Sequence, residues 1–230
     1  MTGQRPTRTA IVTGAASGIG RATAERLLAD GWRVIGIDLA EAMPEAVTSV
    51  VGDATSPEVI ERALAAVDLS LDGLVCAAGV PPSGPWDDAA HWSNVLRVDL
   101  TGPFEALRLS MPALSAANGS AVIIGSIVGP AEGSTRSPAY AAAKAGLGGL
   151  VKSMALIGAP LGVRVNLVEP GAIDTPFDPP RYPPDARPDV PLGRMGTAAE
   201  VAGAIVFLLG PDATYITGAS LRIDGGRTLL

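Results

Sequence analysis

The sequence predicts a single α/β domain over residues 1–230, built on a doubly wound parallel sheet with helices on both faces. Three observations carry this. Short β-branched runs alternate along the chain with longer Ala/Leu-rich periodic stretches. The strand cores (AIV, VIGI, LVC, AVII) are continuously apolar, as a parallel sheet covered on both faces requires. No repeat or low-complexity linker interrupts the pattern, and 230 residues suffice to bury a large core.

In chain order, strands are expected at Thr9–Thr13, Arg33–Leu39, Thr48–Gly52, Gly73–Ala77, Ala121–Ser126, Val163–Val168 and Ser220–Ile223. Helices are expected at Gly18–Asp30, Pro57–Val67, Asp88–Ser115, Ser137–Gly158 and Ala198–Leu209. Ser56-Pro57-Glu58 supplies an N-cap, a proline at the first helical position and an early carboxylate. Pro103 and Pro112 predict a kink or break inside 88–115. The stretch Thr175–Pro191 holds seven prolines in 17 residues, with Phe177, Arg181 and Tyr182 between them. It can be neither regular helix nor strand, and is either a surface linker or a loop covering a binding site.

Composition excludes several functional classes. With 47% hydrophobic and 17% charged residues, the chain is not disordered. No apolar run reaches the ~18 residues of a membrane span, and MTGQRPTRT has no apolar signal core, so a cytoplasmic location is expected. One cysteine, Cys76, and one histidine, His91, leave no internal disulfide and no Cys- or His-cluster metal site; no metal is expected. A formal charge of −6 argues against a nucleic-acid partner. The basic residues are 15 Arg against two Lys, Lys144 and Lys152. A general Arg preference explains the bias, yet a Lys kept against it marks a place where a compact ammonium matters.

The first strand runs into Thr13-Gly14-Ala15-Ala16-Ser17-Gly18-Ile19-Gly20 and then a helical pattern. Glycines 14, 18 and 20 suit a tight turn, approach of backbone to a pyrophosphate, and close helix–strand packing. The helix would aim its free N–H groups and positive dipole end at the phosphates, with Ser17 and Ile19 beside them. Asp38 follows 18 residues after Gly20, at the end of the second strand. Its carboxylate can accept both hydroxyls of an adenosine ribose and would repel a 2′-phosphate; Leu39 offers no cation to bind one. NAD is therefore expected rather than NADP. Asp53, with Ala54, ends the third strand facing the adenine position, or else Asp53 simply starts a turn.

Tyr140 and Lys144 lie four apart in a helical stretch and share a face. A free phenol titrates near 10 and is a poor base at neutral pH, but a nearby ammonium and an oxidised nicotinamide favour the phenolate. Bringing a phenol into the neutral range takes roughly 4 kcal/mol of differential stabilisation. Ser126 ends the fifth strand, where its hydroxyl can hydrogen-bond a substrate oxygen.

Together TGAASGIG, the strand-end Asp, Ser126, YAAAK and PGAIDT resemble the short-chain dehydrogenase/reductase family. The likeness extends through RVNLVEPG, GRMGTAAEVAGAIVFLL and LRIDGG, nearly the whole chain. It implies a Rossmann-type sheet of seven parallel strands. It also implies Tyr140 as acid/base, Lys144 binding the nicotinamide ribose and favouring the phenolate, and Ser126 orienting the reacting oxygen. Ala78-Gly79 and Pro170-Gly171-Ala172-Ile173-Asp174-Thr175 would contact the nicotinamide end, which makes the proline-rich segment at about 175–191 a substrate lid. A homodimer or homotetramer is implied as well.

Three departures stand out. Cys76-Ala77-Ala78-Gly79 replaces Asn-Asn-Ala-Gly and loses an amide that braces the sheet. Asp99, in VDLTGPF, replaces a helix Asn of the family. Asp99 is either protonated and donating as Asn would, or ionised and a second counter-charge near Lys144. Ser126 lies 14 residues before Tyr140, one more than usual, which a longer loop would absorb.

The leading reading is an NAD-dependent oxidoreductase acting on a secondary alcohol or ketone. Apolar or small pocket segments (Val80-Pro81-Pro82, Val128-Gly129-Pro130, Phe177) suit a compact hydrophobic substrate, cyclic or steroid-like. VIGID, DGLVCAAG and PRYP resemble the bacterial hydroxysteroid dehydrogenase/carbonyl reductase branch. One alternative is an NADPH-dependent 3-oxoacyl carrier-protein reductase, opposed by Asp38 and by the acidic charge. Another is a non-catalytic dinucleotide sensor, opposed by the intact Ser126, Tyr140 and Lys144.

Overall fold

A computed structural model describes residues 7–67, 70–177 and 190–230. In chain order they form β1 (Thr9–Thr13), α1 (Gly18–Ala29), β2 (Arg33–Asp38), β3 (Thr48–Val51), α2 (Pro57–Ala65), β4 (Gly73–Cys76) and α3 (Ala89–Leu96). There follow a π-helical turn at Arg97–Thr101, α4 (Gly102–Ala117), β5 (Ser120–Ile124), α5 (Pro138–Gly158) and β6 (Arg164–Pro170). The two-residue strands β7 (Ile173–Asp174) and β8 (Gly196–Thr197), then α6 (Ala198–Leu209) and β9 (Ser220–Ile223), complete the order.

Seven strands form one parallel sheet in the order β3-β2-β1-β4-β5-β6-β9, as expected for a doubly wound fold. Every residue of β1, β4 and β5 is buried, because helices cover both faces. Alternation along each strand divides the apolar residues in two. Ile11, Ile35, Leu74, Ile123 and Leu167 enter one core with α2, α4 and α5. Val12, Val34, Val75, Val122 and Val168 enter the other with α1 and α6. The edge strands β3 and β9 are short and mostly exposed.

Strand order reverses between β1 and β4, so the connections leaving their carboxyl ends diverge and open a crevice there. The glycines shape its floor. Gly14 and Gly18 adopt φ of +70° and +51°, and a Cβ on Gly20 would lie 2.1 Å from the Gly14 carbonyl oxygen. Across the crevice, Thr13 Oγ1 accepts hydrogen bonds from the N–H groups of Ala77 (3.1 Å) and Ala78 (3.0 Å). The bracing lost with the family amide is thus supplied in part by a hydroxyl on the neighbouring strand.

Two expectations are refined. The stretch 88–115 is divided, but at 97–101 rather than at either proline. Pro103 sits in the first turn of α4, where a missing N–H costs little, and it offers no donor to the Asp99 carbonyl four residues earlier. Pro112 lies inside α4 without ending it. Second, β5 ends at Ile124, which puts Ser126 two residues beyond the strand.

Replacing Thr13 with Val removes an acceptor shared by two backbone donors. We expect a loss of about 1–3 kcal/mol in chemical denaturation. Thr13→Ser, which keeps the oxygen, should retain most of the stability; equal losses in both variants would contradict the bracing role.

Candidate active site

The crevice opens into a cavity of about 1050 Å³. Its lining includes nearly all the residues anticipated from sequence: Gly14, Ser17, Gly18, Ile19, Gly20, Asp38, Leu39, Asp53, Ala54, Ala78, Gly79, Ser126, Tyr140, Lys144, Pro170, Gly171, Ile173 and Thr175. Asp99 is the exception; it lies fully buried behind Lys144. Val80, Pro82, Val128 and Phe177 also line the cavity, whereas Pro81, Gly129 and Pro130 do not.

At the glycine-rich end, α1 differs from the other helices that begin in a loop. Ser56, Asp88, Ser137 and Thr197 each accept a backbone N–H at the start of α2, α3, α5 and α6. Ser17, at the start of α1, makes no side-chain cap. The first-turn N–H groups of α1 therefore face a cavity wall without a protein cap, the arrangement an anionic pyrophosphate fits. Asp38 Oδ2 accepts the Ala16 N–H at 3.0 Å and Oδ1 accepts the Ala40 N–H at 3.0 Å, fixing the carboxylate against the turn. Leu39 is 74% exposed at the mouth. These residues fit a dinucleotide: no Cβ obstructs the turn, donors face the phosphate position, and an acceptor stands at the ribose position.

Asp53 is more occupied than its position in sequence suggests. Oδ1 accepts from the Thr55 N–H (2.9 Å) and hydroxyl (2.8 Å), and Oδ2 pairs with Arg97 Nη1 at 2.8 Å. Burial raises its carboxyl, but the bonds from Thr55 and Arg97 outweigh that and hold it below the ordinary range. Asp53 thus anchors the π-helical turn as well as lining the cavity.

At the other end, α5 presents Tyr140 and Lys144, 6% and 5% exposed. The Ser137 hydroxyl accepts the Tyr140 N–H at 3.2 Å and Pro138 occupies the first turn, so the local sequence starts the helix beside the tyrosine. The longer loop before α5 folds back on it: Gly129, at φ +107°, packs so close that a Cβ would lie 2.4 Å from the Ala141 carbonyl oxygen. Ser126 Oγ accepts the Val128 N–H at 3.1 Å. Lys144 Nζ lies 5.4 Å from the Tyr140 ring centre, donates to the Ile124 carbonyl at 3.0 Å, and stands 3.1 Å from Asp99 Oδ1. Asp99 Oδ2 accepts a long bond, 3.4 Å, from the Val80 N–H. Gly79 permits this approach, since a Cβ there would be 2.7 Å from Asp99 Oδ1.

Burial pulls the Lys144 ammonium down, but the negative charge of Asp99 and the proximity of Tyr140 overcome it and hold its pKa above the ordinary value. The lysine is therefore a persistent cation against the tyrosine ring. Burial pushes the Cys76 thiol up to about 12, so it stays protonated. Among the described residues no group of three His, Cys, Asp or Glu side chains could hold a metal, and no helix is long and apolar enough to cross a membrane.

Arg97, Glu132 and Arg227 also line the cavity and were not anticipated. Arg97 and Arg227 find their carboxylates 44 and 95 residues away in sequence, so no local pattern marks them.

A family model described as enoyl-(acyl carrier protein) reductase matches residues 14–228. The cis-4-hydroxycyclohexanecarboxylate dehydrogenase of Sinomonas cyclohexanicum is 38% identical, with 96% of each chain covered. The 3-oxoacyl-(acyl-carrier-protein) reductase of Vibrio cholerae is 37% identical over 97% of this chain and 98% of that one. Among solved structures, ligand-free aldohexose dehydrogenase of Thermoplasma acidophilum superimposes with a TM-score of 0.89 at 30% identity, covering 97% and 95% of the two chains.

Proposed function

This chain belongs to the short-chain dehydrogenase/reductase family, and we propose that it is an NAD(H)-dependent enzyme interconverting a secondary alcohol and a ketone on a compact, ring-bearing substrate. The family membership itself makes it an oxidoreductase of CH–OH groups that uses a nicotinamide dinucleotide. The observation that carries the finer reading is one cavity with Asp38 and an uncapped helix start at one end and a buried Tyr140–Lys144 pair at the other.

In this reading the first turn of α1, with Gly14, Ser17, Gly18, Ile19 and Gly20, holds the pyrophosphate. Asp38 accepts the adenosine ribose hydroxyls, and Leu39, Asp53 and Ala54 border the adenine. Ala78, Gly79 and the Pro170–Thr175 segment border the nicotinamide. A nicotinamide held there would supply the site for the carbon-bound hydrogen, which leaves the carbinol carbon with its electron pair as hydride or returns to the ketone carbon. Tyr140 Oη takes the hydroxyl proton of the alcohol, or returns it to the ketone oxygen, while Ser126 Oγ hydrogen-bonds that oxygen. Lys144 favours the phenolate by Coulomb attraction and binds the nicotinamide ribose. Its burial makes the attraction stronger than it would be in water. Asp99, out of reach of substrate, acts through Lys144 as an ionised counter-charge and a positioning residue; the 3.1 Å ion pair supports this over a protonated form.

The apolar Val80, Val128 and Phe177 suit a ring, and the Sinomonas relative is named for a hydroxycyclohexane substrate. We read 175–191 as the cover of the substrate end of one domain. Its residues 178–189 lie outside the described residues, but Thr175, Pro176, Phe177 and Val190 border the cavity, and the β7–β8 ladder ties its flanks together. On the same reading the enzyme works in the cytoplasm as a homodimer or homotetramer. A second reading, an NADPH-dependent 3-oxoacyl carrier-protein reductase, is favoured by the similarity to the Vibrio enzyme. The acidic ribose acceptor and the sequence pI near 4.8 oppose it.

The test is a panel of secondary alcohols and ketones assayed with NAD(H) and NADP(H) in parallel; preference for NADP(H) would sink the assignment of Asp38. Tyr140→Phe should lower turnover at least about a hundredfold while leaving NADH binding nearly unchanged, measured by kinetics and by titration. Asp38→Ala should weaken NADH roughly 10- to 150-fold, the cost of a hydrogen bond to a charged group, and narrow the preference over NADPH. Asp99→Asn removes a negative charge beside Lys144 and leaves the ammonium free to stabilise phenolate. The pH–rate profile for alcohol oxidation should move to lower pH with little loss of maximal rate; an unmoved profile would show that Asp99 carries no charge that Tyr140 feels.

A further inference from the structure

Between the two ends of the cavity runs the π-helical turn Arg97–Thr101, which joins α3 to α4. Such turns are rare inside helices and recur at functional sites. On one side the turn is held by the loop that follows β3. Arg97 Nη1 donates to Asp53 Oδ2 at 2.8 Å and to Thr55 Oγ1, and Nη2 donates to Asn94 Oδ1 at 3.1 Å. Thr55 also meets the residue that follows the turn: a Cβ on Gly102 would lie 3.0 Å from its methyl group. On the other side the turn faces α5. Asp99 Oδ1 stands 3.1 Å from Lys144 Nζ, and Leu100 packs so closely that a Cβ on Gly146 would lie 3.2 Å from its Cδ2. Asp53, Thr55, Asn94 and Arg97 line the cavity, whereas Asp99 lies buried behind Lys144.

As an ion pair alone, Arg97 and Asp53 contribute little, because their side chains are 47% and 42% exposed and solvent screens the attraction. The geometry does more. A planar guanidinium held by three acceptors, on the β3–α2 loop and on α3, is fixed in one orientation. Two residues on, the same turn sets Asp99 against the ammonium. The Coulomb energy of that pair varies inversely with distance and is least screened where both charges are buried, so a small displacement of the turn changes what Tyr140 feels. The other titratable groups around Lys144 are Tyr140 on α5 and Cys76 at the end of β4, which burial keeps protonated. Glu132 and Arg227, paired with each other at 2.9 Å, line the same cavity.

Resting on the reading above that Tyr140 takes the proton of the alcohol, we propose that Arg97 is a positioning residue: with Asp53 and Thr55 it clamps the π-helical turn, and through the turn it sets how close the Asp99 carboxylate stands to Lys144. The wall of the cavity at the adenine end is then part of the electrostatics of the catalytic end. Arg97 touches none of the reacting atoms in this arrangement; it acts on Tyr140 only by placing a charge.

The test titrates the Tyr140 phenol by ultraviolet absorbance, as the difference between each protein and its Tyr140→Phe counterpart, beside the pH–rate profile for alcohol oxidation and a titration with NADH. The proteins are wild type, Arg97→Met, Thr55→Val, Asp99→Asn and the double variant Arg97→Met/Asp99→Asn, each with thermal unfolding. Arg97→Met should move the phenol titration and the rate profile to lower pH, in the direction of Asp99→Asn and by part of its shift, because Asp99 then offsets less of the ammonium. In the Asp99→Asn background the same substitution should move neither, since no charge remains to be placed. NADH affinity should fall by less than about fivefold, the range of an exposed pair. Thr55→Val removes an acceptor of Arg97 and should shift both curves in the same sense; it carries the test if the Met variant does not fold. An unmoved phenol titration in Arg97→Met, or an equal shift with and without the Asp99 carboxylate, overturns the clamp while leaving the alcohol dehydrogenase reading intact. An unmoved titration in Asp99→Asn overturns it too. Failure to oxidise any alcohol of the wider panel with either cofactor overturns the functional reading instead, and the phenol titration, which needs no turnover, still decides the clamp.

Discussion

One buried ammonium holds the catalytic half of the molecule together. Lys144 Nζ bonds the Ile124 carbonyl at the end of β5 and faces the Asp99 carboxylate on the π-helical turn, while its own backbone belongs to α5. Three elements distant in sequence therefore converge on one charge. An ammonium nearly removed from water needs such compensation. The same compensation keeps it charged beside Tyr140. Positioning and electrostatics are thus a single arrangement, not two.

The cofactor half rests on backbone rather than on charge. Glycines 14, 18 and 20 bring the β1–α1 turn so near the sheet that side chains are excluded, and Thr13 ties that turn's strand to the chain leaving β4. Asp38 reaches back to the Ala16 N–H, joining the proposed ribose acceptor to the loop proposed to hold the phosphates. A shift of the turn would carry the acceptor with it. Hydrogen bonds and close backbone packing hold the donors and acceptors of this half in place, an arrangement that lowers the ordering cost of binding.

The substitution of Asp99 for the family's Asn shows how a local change spreads. An amide could both donate and accept; a carboxylate facing an ammonium only accepts. Gly79 and the Val80 N–H close around it, so the charge is enclosed by the strand-end loop that also borders the cofactor crevice. Burial without bulk water leaves Lys144 as its main compensation, and the tyrosine feels the difference of two charges.

The sequence by itself determined the architecture and most of the cavity's composition. Continuous apolar strand cores, the helix-cap residue Ser56, and the glycine spacing are local instructions, readable one segment at a time. The Tyr140–Lys144 pair was legible because helical geometry puts residues four apart on one face. What only the tertiary structure decided was which charges meet. The pairing of Asp99 with Lys144, Asp53 with Arg97 and Glu132 with Arg227 joins residues 44 to 95 apart in all three cases. Asp53 accordingly became an anchor as well as a wall of the cavity, and the break in the long helix fell at 97–101 instead of at a proline. Coulomb and hydrogen-bond partners across a cavity depend on distance in space, and a one-dimensional pattern carries no record of that distance until the sheet order is formed.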